Sequence, residues 1–190
     1  KHLDGTDYIL FFGKLQILKG PQILSKTIPG LLKIFSNLKV VFVGGDFPFG
    51  SGTMKSYIES ENRKYIENLV FLDNIPQNLL FPVIEQAKLI ILPSLWENFP
   101  YACLEAMSLG KTVIGTRRTG FEELIEDGVS GILVDPGSPE ALEKAVLNTL
   151  QSKNLEEMGQ RAKKRAAEFS SDKVVPRILE YYNQIVRKVA

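Results

Sequence analysis

Leu89-Ile90-Ile91-Leu92-Pro93-Ser94-Leu95-Trp96-Glu97-Asn98-Phe99-Pro100-Tyr101-Ala102-Cys103-Leu104-Glu105-Ala106-Met107 decides how this chain is read. Its first four residues form a continuous apolar run, the pattern of a strand buried on both faces. Residues 101–109 suit a helix, which Gly110 can end. Glu97 therefore falls in the loop at a strand's carboxyl end. Glu105, eight positions on, falls on the first turns of the next helix. Open α/β sheets bind ligands in that crevice. A helix start offers free N–H groups and a positive dipole end to a phosphate. Carboxylates accept hydrogen bonds from sugar or ribose hydroxyls.

Outward from this stretch, apolar runs alternate with longer amphipathic ones. Residues 8–12, 39–43, 69–72, 88–92, 111–115 and 131–134 read as strands. Residues 20–36, 54–66, 76–86, 100–109, 119–126, 138–151 and 154–168 read as helices. Such alternation predicts an α/β fold: a Rossmann-like open parallel sheet with helices on both faces. Residues 44–53 hold four glycines and a proline and are expected to be the longest loop. From Val174 to Val189 apolar residues recur at helical spacing, so 172–190 reads as a last helix. It either packs on its own domain or reaches toward another, and the sequence does not separate the two.

The 190 residues, 44% of them hydrophobic, suit a single domain, 1–190, with a sizeable core. Twenty-three Lys and Arg against 22 Asp and Glu leave a formal charge of +1, which gives no electrostatic footprint for nucleic acid. Cys103 is the one cysteine and has no partner for an internal disulfide; its apolar neighbours predict a packed thiol and a reducing compartment. No apolar run approaches the roughly 20 residues that span a bilayer. No signal-peptide pattern opens the chain. It starts Lys1-His2-Leu3, without methionine, as a fragment would.

Lys14 and Lys19 flank a turn after the first strand. Five residues apart, they can serve one pocket and neutralise a pyrophosphate. The plainer reading is two solvated surface lysines. Gly44-Gly45 follows the second strand and permits close approach of backbone to a ligand; a tight turn would need the same residues. Other phosphate sites fail on inspection. Gly45 and Gly50 have P-loop spacing, but Ser51-Gly52 follows where Lys-Ser/Thr is needed. No G-x-G-x-x-G follows the first strand. His2 and Cys103, one of each residue type, do not make a zinc set.

Five blocks in order resemble the retaining GT-B glycosyltransferases of group 1, or GT4. Glu97 and Glu105 match that family's E-x7-E. Gly13-Lys14-Leu15 with Lys19-Gly20 is similar to its G-R-L…K-G. Val41-Phe42-Val43-Gly44-Gly45-Asp46 is similar to its strand and glycine loop, and Phe71-Leu72-Asp73-Asn74-Ile75-Pro76 to the segment beside the nucleobase. Gly120-Phe121-Glu122-Glu123 and Glu126-Asp127-Gly128-Val129-Ser130-Gly131-Ile132-Leu133-Val134 are similar to the block after the motif. The resemblance runs from about Tyr8 to Asp135 and implies the C-terminal, donor-binding half of a GT-B enzyme.

It further implies roles. Lys14, Lys19 and Glu97 would be the catalytic residues, the lysines on the diphosphate and Glu97 on the transferred sugar. Glu105 would hold the two ribose hydroxyls. Ile75 would read the base through its main chain. Gly13, Gly44, Gly45, Phe99 and the N–H groups of Tyr101 and Ala102 would line the donor site. Two departures stand out. Lys14 replaces the usual arginine and loses its bidentate fork. Pro100 replaces the glycine of Phe-Gly and removes a backbone donor. Asp4-Gly5-Thr6-Asp7 is not the D-x-D of metal-dependent GT-A enzymes.

The expected function is transfer of a sugar, with retention and without a metal or other cofactor, from a nucleotide diphosphate sugar to an acceptor hydroxyl. The acceptor is a glycan, a lipid or a small molecule. The implied partner is an N-terminal acceptor domain of the same protein, and the isolated chain is expected to be inactive without it. The implied setting is cytoplasmic, with peripheral contact to the inner membrane face left open. A GT-B epimerase or phosphorylase, or a non-catalytic sugar-nucleotide binding module, would share the same crevice.

Overall fold

The computed structural model describes residues 5–189. His2 and Asp4, weighed above, lie outside them. Six parallel strands form one sheet in the order β5-β2-β1-β6-β7-β8. They are β1 (Tyr8–Phe12), β2 (Lys39–Val43), β5 (Leu69–Leu72), β6 (Leu89–Ile91), β7 (Val113–Thr116) and β8 (Ile132–Val134). The first three match the expected ranges residue for residue. β3 (Pro48–Phe49) and β4 (Gly52–Thr53) form a separate antiparallel hairpin inside the expected loop 44–53.

Alternating residues divide the core between the two faces of the sheet. Tyr8, Leu10 and Phe12 of β1 join Ile90 and Leu92 on one face. There Ile84 of α3 (Gln77–Gln86), Met107 of α4 (Tyr101–Ser108), Phe121 of α5 (Phe121–Leu124) and Ala162 of α7 (Leu155–Ala166) cover them. Ile9 and Phe11 face the other way with Val40 and Phe42. They meet Leu24 and Ile28 of α1 (Pro21–Ile34), Ile58 of α2 (Met54–Glu61) and Val146 of α6 (Pro139–Gln151). Burying each such side chain contributes about 1.5–3 kcal/mol, which explains why the central strands are apolar throughout.

Helix ends follow local chemistry. Thr53 and Ser56 form a reciprocal capping box that starts α2. Ser138 caps α6 by accepting the Ala141 N–H at 3.1 Å, and Pro139 follows at the first helical position. The expected helix 54–66 breaks at Asn62. The buried Asn62 side chain turns inward and donates to Ser25 Oγ at 2.9 Å and Ile58 O at 3.0 Å, tying α2 to α1. Residues beyond it form a 3-10 turn, Arg63–Asn68. The expected helix 119–126 shortens to α5, because Ile125 is already extended. The last helix, α8 (Ser171–Val189), follows the 3-10 turn Ala167–Phe169, to which Lys173 is tied through Glu168 at 2.6 Å, and leaves Ile178, Leu179, Tyr182 and Ile185 exposed. No helix among the described residues is long and apolar enough to cross a membrane.

Candidate functional site

From β1 the chain moves outward through β2 and β5, then returns to β6 on the other side of β1. That reversal makes the gap between the carboxyl ends of β1 and β6 the topological switch point. The loops after these strands are fastened together. Leu95 N–H donates to Leu18 O at 2.9 Å. Gly20 adopts φ +74°, and a Cβ there would overlap the Pro93 carbonyl oxygen. On the far side, Gly120 N–H donates to Glu97 O at 2.8 Å and Thr116 Oγ1 donates to Ser94 O at 2.7 Å. The Glu97 loop is thus wedged between the loops after β1 and β7.

The two lysines go to different partners. Lys19 ends the 3-10 turn Ile17–Lys19, and its Nζ forms an ion pair with Glu97 Oε2. The pair is partly sheltered, with 33% of the Lys19 side chain and 17% of the Glu97 side chain exposed. Lys14 is exposed, with Nζ 5.9 Å from the Phe47 ring centroid.

The glycines also divide. Gly44 packs so tightly that a Cβ would overlap Gly13 O, whereas Gly13 faces open space. Gly45 N–H is committed to Asn74 Oδ1 at 2.9 Å. Ile75 is half-buried against the core, and its N–H and C=O have no hydrogen-bond partner among the described residues.

At the start of α4, Pro100 O accepts the Cys103 and Leu104 N–H groups at 2.9 and 3.2 Å. The N–H groups of Tyr101 and Ala102 have no acceptor among the described residues and stay available to an anion. Tyr101 is 71% exposed, and its ring stands edge-on to Phe99 at 5.4 Å. Glu105 Oε1 accepts from Gln77 Nε2 at 3.1 Å. Gln77 opens α3 directly after Ile75-Pro76, so this bond ties Glu105 to the Ile75 segment. Tyr101, Glu105, Ser108, Lys163 and Phe169 border a cleft of about 410 Å³.

A larger cleft, about 760 Å³, opens at the amino ends of β6 and β7 between Lys88, Lys111 and Lys153. It holds no residue of the switch point, and burial lowers the Lys111 ammonium. Beneath the switch-point loops, Cys103 is fully buried, and burial pushes its thiol well above the ordinary range.

Sequence reasoning missed two supports of the site, Gln77 and the β7 loop, and gave Asn74 no role of its own within the block that contains it. That loop carries Arg118 at φ +56°, a left-handed conformation uncommon for a non-glycine residue. Arg118 reaches Asp135 at 3.2 Å, and Arg117 reaches Asp127 at 2.7 Å. Gln77 carried a signal in its place two residues after Ile75; Arg118 carried none.

The strand order and the gathering of Lys19, Glu97 and the α4 start at the switch point define a doubly wound, Rossmann-like α/β protein. Residues 1–168 match the family described as Glycosyl transferases group 1, and the chain belongs to that family. It is 31% identical over 186 residues to D-inositol 3-phosphate glycosyltransferase of Corynebacterium glutamicum, covering 95% of this chain and 44% of that protein. It is 31% identical over 141 residues to an uncharacterized glycosyltransferase of Methanocaldococcus jannaschii, covering 73% of this chain and 34% of that one. The chain therefore spans less than half the length of these relatives. Among solved structures, sucrose-phosphate synthase of Thermosynechococcus elongatus superposes with TM-score 0.82 at 23% identity, over 97% of this chain and 46% of that one. Anabaena HepE in complex with UDP and glucose gives 0.83 at 21%, over 96% and 50%. The C-terminal domain of a group 1 glycosyl transferase from Francisella tularensis gives 0.77 at 22%, over 85% and 84%. The fold is the C-terminal, Rossmann-like half of GT-B glycosyltransferases.

Proposed function

We propose that this chain is the donor-binding domain, 1–190, of a retaining, metal-independent glycosyltransferase. It binds a nucleotide diphosphate sugar and presents it to an acceptor hydroxyl. The observation that carries this reading is the gathering of Lys19, Glu97 and the free Tyr101 and Ala102 N–H groups at one switch point. Departure of a nucleoside diphosphate builds negative charge on its oxygens. Fixed donors aimed at that charge lower the barrier, and a half-sheltered lysine beside a helix start provides them without a metal. Glu105 takes the ribose hydroxyls while Gln77 keeps its hold on Oε1. Ile75 offers its unpartnered N–H and C=O to the base. Glu97 accepts from hydroxyls of the transferred sugar.

Support comes from the relatives, whose names describe glycosyl transfer, and from HepE, solved with UDP and with UDP-glucose. Retention is taken from the family. The acceptor half lies in an N-terminal domain, and the exposed apolar side chains of α8 suit packing against it. A reducing, cytoplasmic setting belongs to the same reading, and the buried Cys103 fits it. Titration of the chain with UDP, ADP and GDP, followed by a sugar-transfer assay, tests the proposal. One diphosphate binds and no sugar is transferred by this chain alone. Failure to bind any of the three, or efficient transfer, contradicts it.

A further inference from the structure

One lysine cannot serve two anions at full strength. Lys19 Nζ is already paired with Glu97 Oε2. None of the other cations at this end of the sheet reaches Glu97: Arg117 pairs with Asp127, Arg118 with Asp135, and Lys14 and Lys55 lie over the Phe47 and Phe71 rings. Glu97 has no second cation among the described residues. When phosphate oxygens draw Lys19 away, Glu97 becomes a largely sheltered carboxylate next to a newly arrived anion. A carboxylate there needs replacement donors, because an unpaired sheltered charge is costly. Sugar hydroxyls are such donors; a diphosphate without its sugar has none to give.

We propose that the Lys19–Glu97 ion pair makes the site discriminate between an intact nucleotide sugar and the bare diphosphate left after transfer. This rests on the donor-site reading above. With the sugar present, Lys19 passes to the phosphates and the hydroxyls re-partner Glu97. After the sugar departs, Glu97 recovers Lys19 and the grip on the diphosphate weakens. Glu97 is thus a specificity residue whose charge opposes product retention.

The test is a set of titrations of this chain and its Glu97→Gln, Lys19→Met and doubly substituted forms, with thermal melting to confirm folding. The probes are UDP, ADP and GDP, and the tightest-binding of UDP-glucose, UDP-N-acetylglucosamine, ADP-glucose and GDP-mannose. Glu97→Gln keeps the shape and removes the charge. It should bind the preferred diphosphate about fivefold more tightly than the wild type, the value of a partly exposed ion pair, and the sugar ester with little or no gain. In the Lys19→Met background that gain should vanish, since a pairwise effect needs both partners. No gain in Glu97→Gln overturns the proposal. So does a gain that persists without Lys19, which would be plain removal of negative charge. If the wild type binds none of the probes, the donor-site reading itself fails. If it binds, and Glu105→Ala weakens binding while Glu97→Gln does not strengthen it, only the ion-pair inference fails.

Discussion

Gly20 stands so close to Pro93 that a side chain on the glycine would overlap the proline's carbonyl oxygen. This contact sets the loop that carries Lys19 against the loop that carries Glu97. Gly20 also adopts φ +74°, where a Cβ is strained whatever the space. Gly20→Ala should therefore cost more than about 2 kcal/mol of stability and weaken diphosphate binding as well. Gly50, at φ +58° with open space around it, is the control. Gly50→Ala should cost about 1 kcal/mol, the strain alone, and leave binding unchanged. Urea denaturation and diphosphate titration of both variants measure this; equal losses would mean that the Gly20–Pro93 contact is unimportant.

Glu105 and Gln77 join α4 to α3 at 3.1 Å. If Glu105 holds the ribose, Glu105→Ala removes a charged hydrogen-bond partner worth about 1.5–3 kcal/mol, or tenfold or more in affinity for the diphosphate. Gln77→Ala should cost less than tenfold, because it only orients Glu105. Glu97→Ala should not weaken diphosphate binding, because the sugar that Glu97 serves is absent. Calorimetry with the three variants ranks them; a larger loss for Glu97→Ala would reverse the two glutamates' roles.

Most of the sheet was legible because its strands are buried on both faces. Runs such as Tyr-Ile-Leu-Phe-Phe and Lys-Val-Val-Phe-Val leave little choice of structure, and β1, β2 and β5 fall on the expected residues. The β3–β4 hairpin was not legible: two pairs of residues, one containing proline and one glycine, carry no periodicity. The break at Asn62 depends on Ser25, 37 residues away, and local pattern does not contain it. The site divides in the same way. Glu97 and Glu105 announce themselves by spacing along the chain. The Lys19–Glu97 pair spans 78 positions, and Gln77–Glu105 spans 28. Those relationships exist only once the sheet has brought the loops together.

Burial shapes the response to base. It pushes the Cys103 thiol well above its ordinary range and the Tyr8 phenol, which donates to Val83 O at 2.6 Å, up to about 12. In both cases the unfolded chain releases a proton that the folded chain keeps. Stability from these groups is full below the unfolded values, about 8.5 for Cys and about 10 for Tyr, and falls as pH rises past them. Lys111, lowered chiefly by burial, acts in the opposite direction. The thiol's share of stability should fall between pH 8 and 10, approaching about 1.4 kcal/mol per pH unit once the unfolded thiol is ionised. Cys103→Ser should be less stable at neutral pH but lose less over that interval. Denaturation curves at a series of pH values check this; parallel profiles would exclude the thiol.

The most direct measurement is diphosphate affinity of the wild type and of the Lys14→Met/Lys19→Met double variant, each with and without EDTA. Methionine keeps the aliphatic stem and removes the charge. Charge-assisted contacts to phosphate are among the stronger hydrogen bonds, and Lys19 is the better sheltered of the two lysines. The double variant should bind UDP, ADP or GDP, whichever the wild type prefers, more than tenfold more weakly, a loss of about 1.4 kcal/mol or more. EDTA should leave wild-type binding unchanged. Binding abolished by EDTA and untouched by the lysine substitutions would contradict a metal-independent donor site built on Lys14 and Lys19.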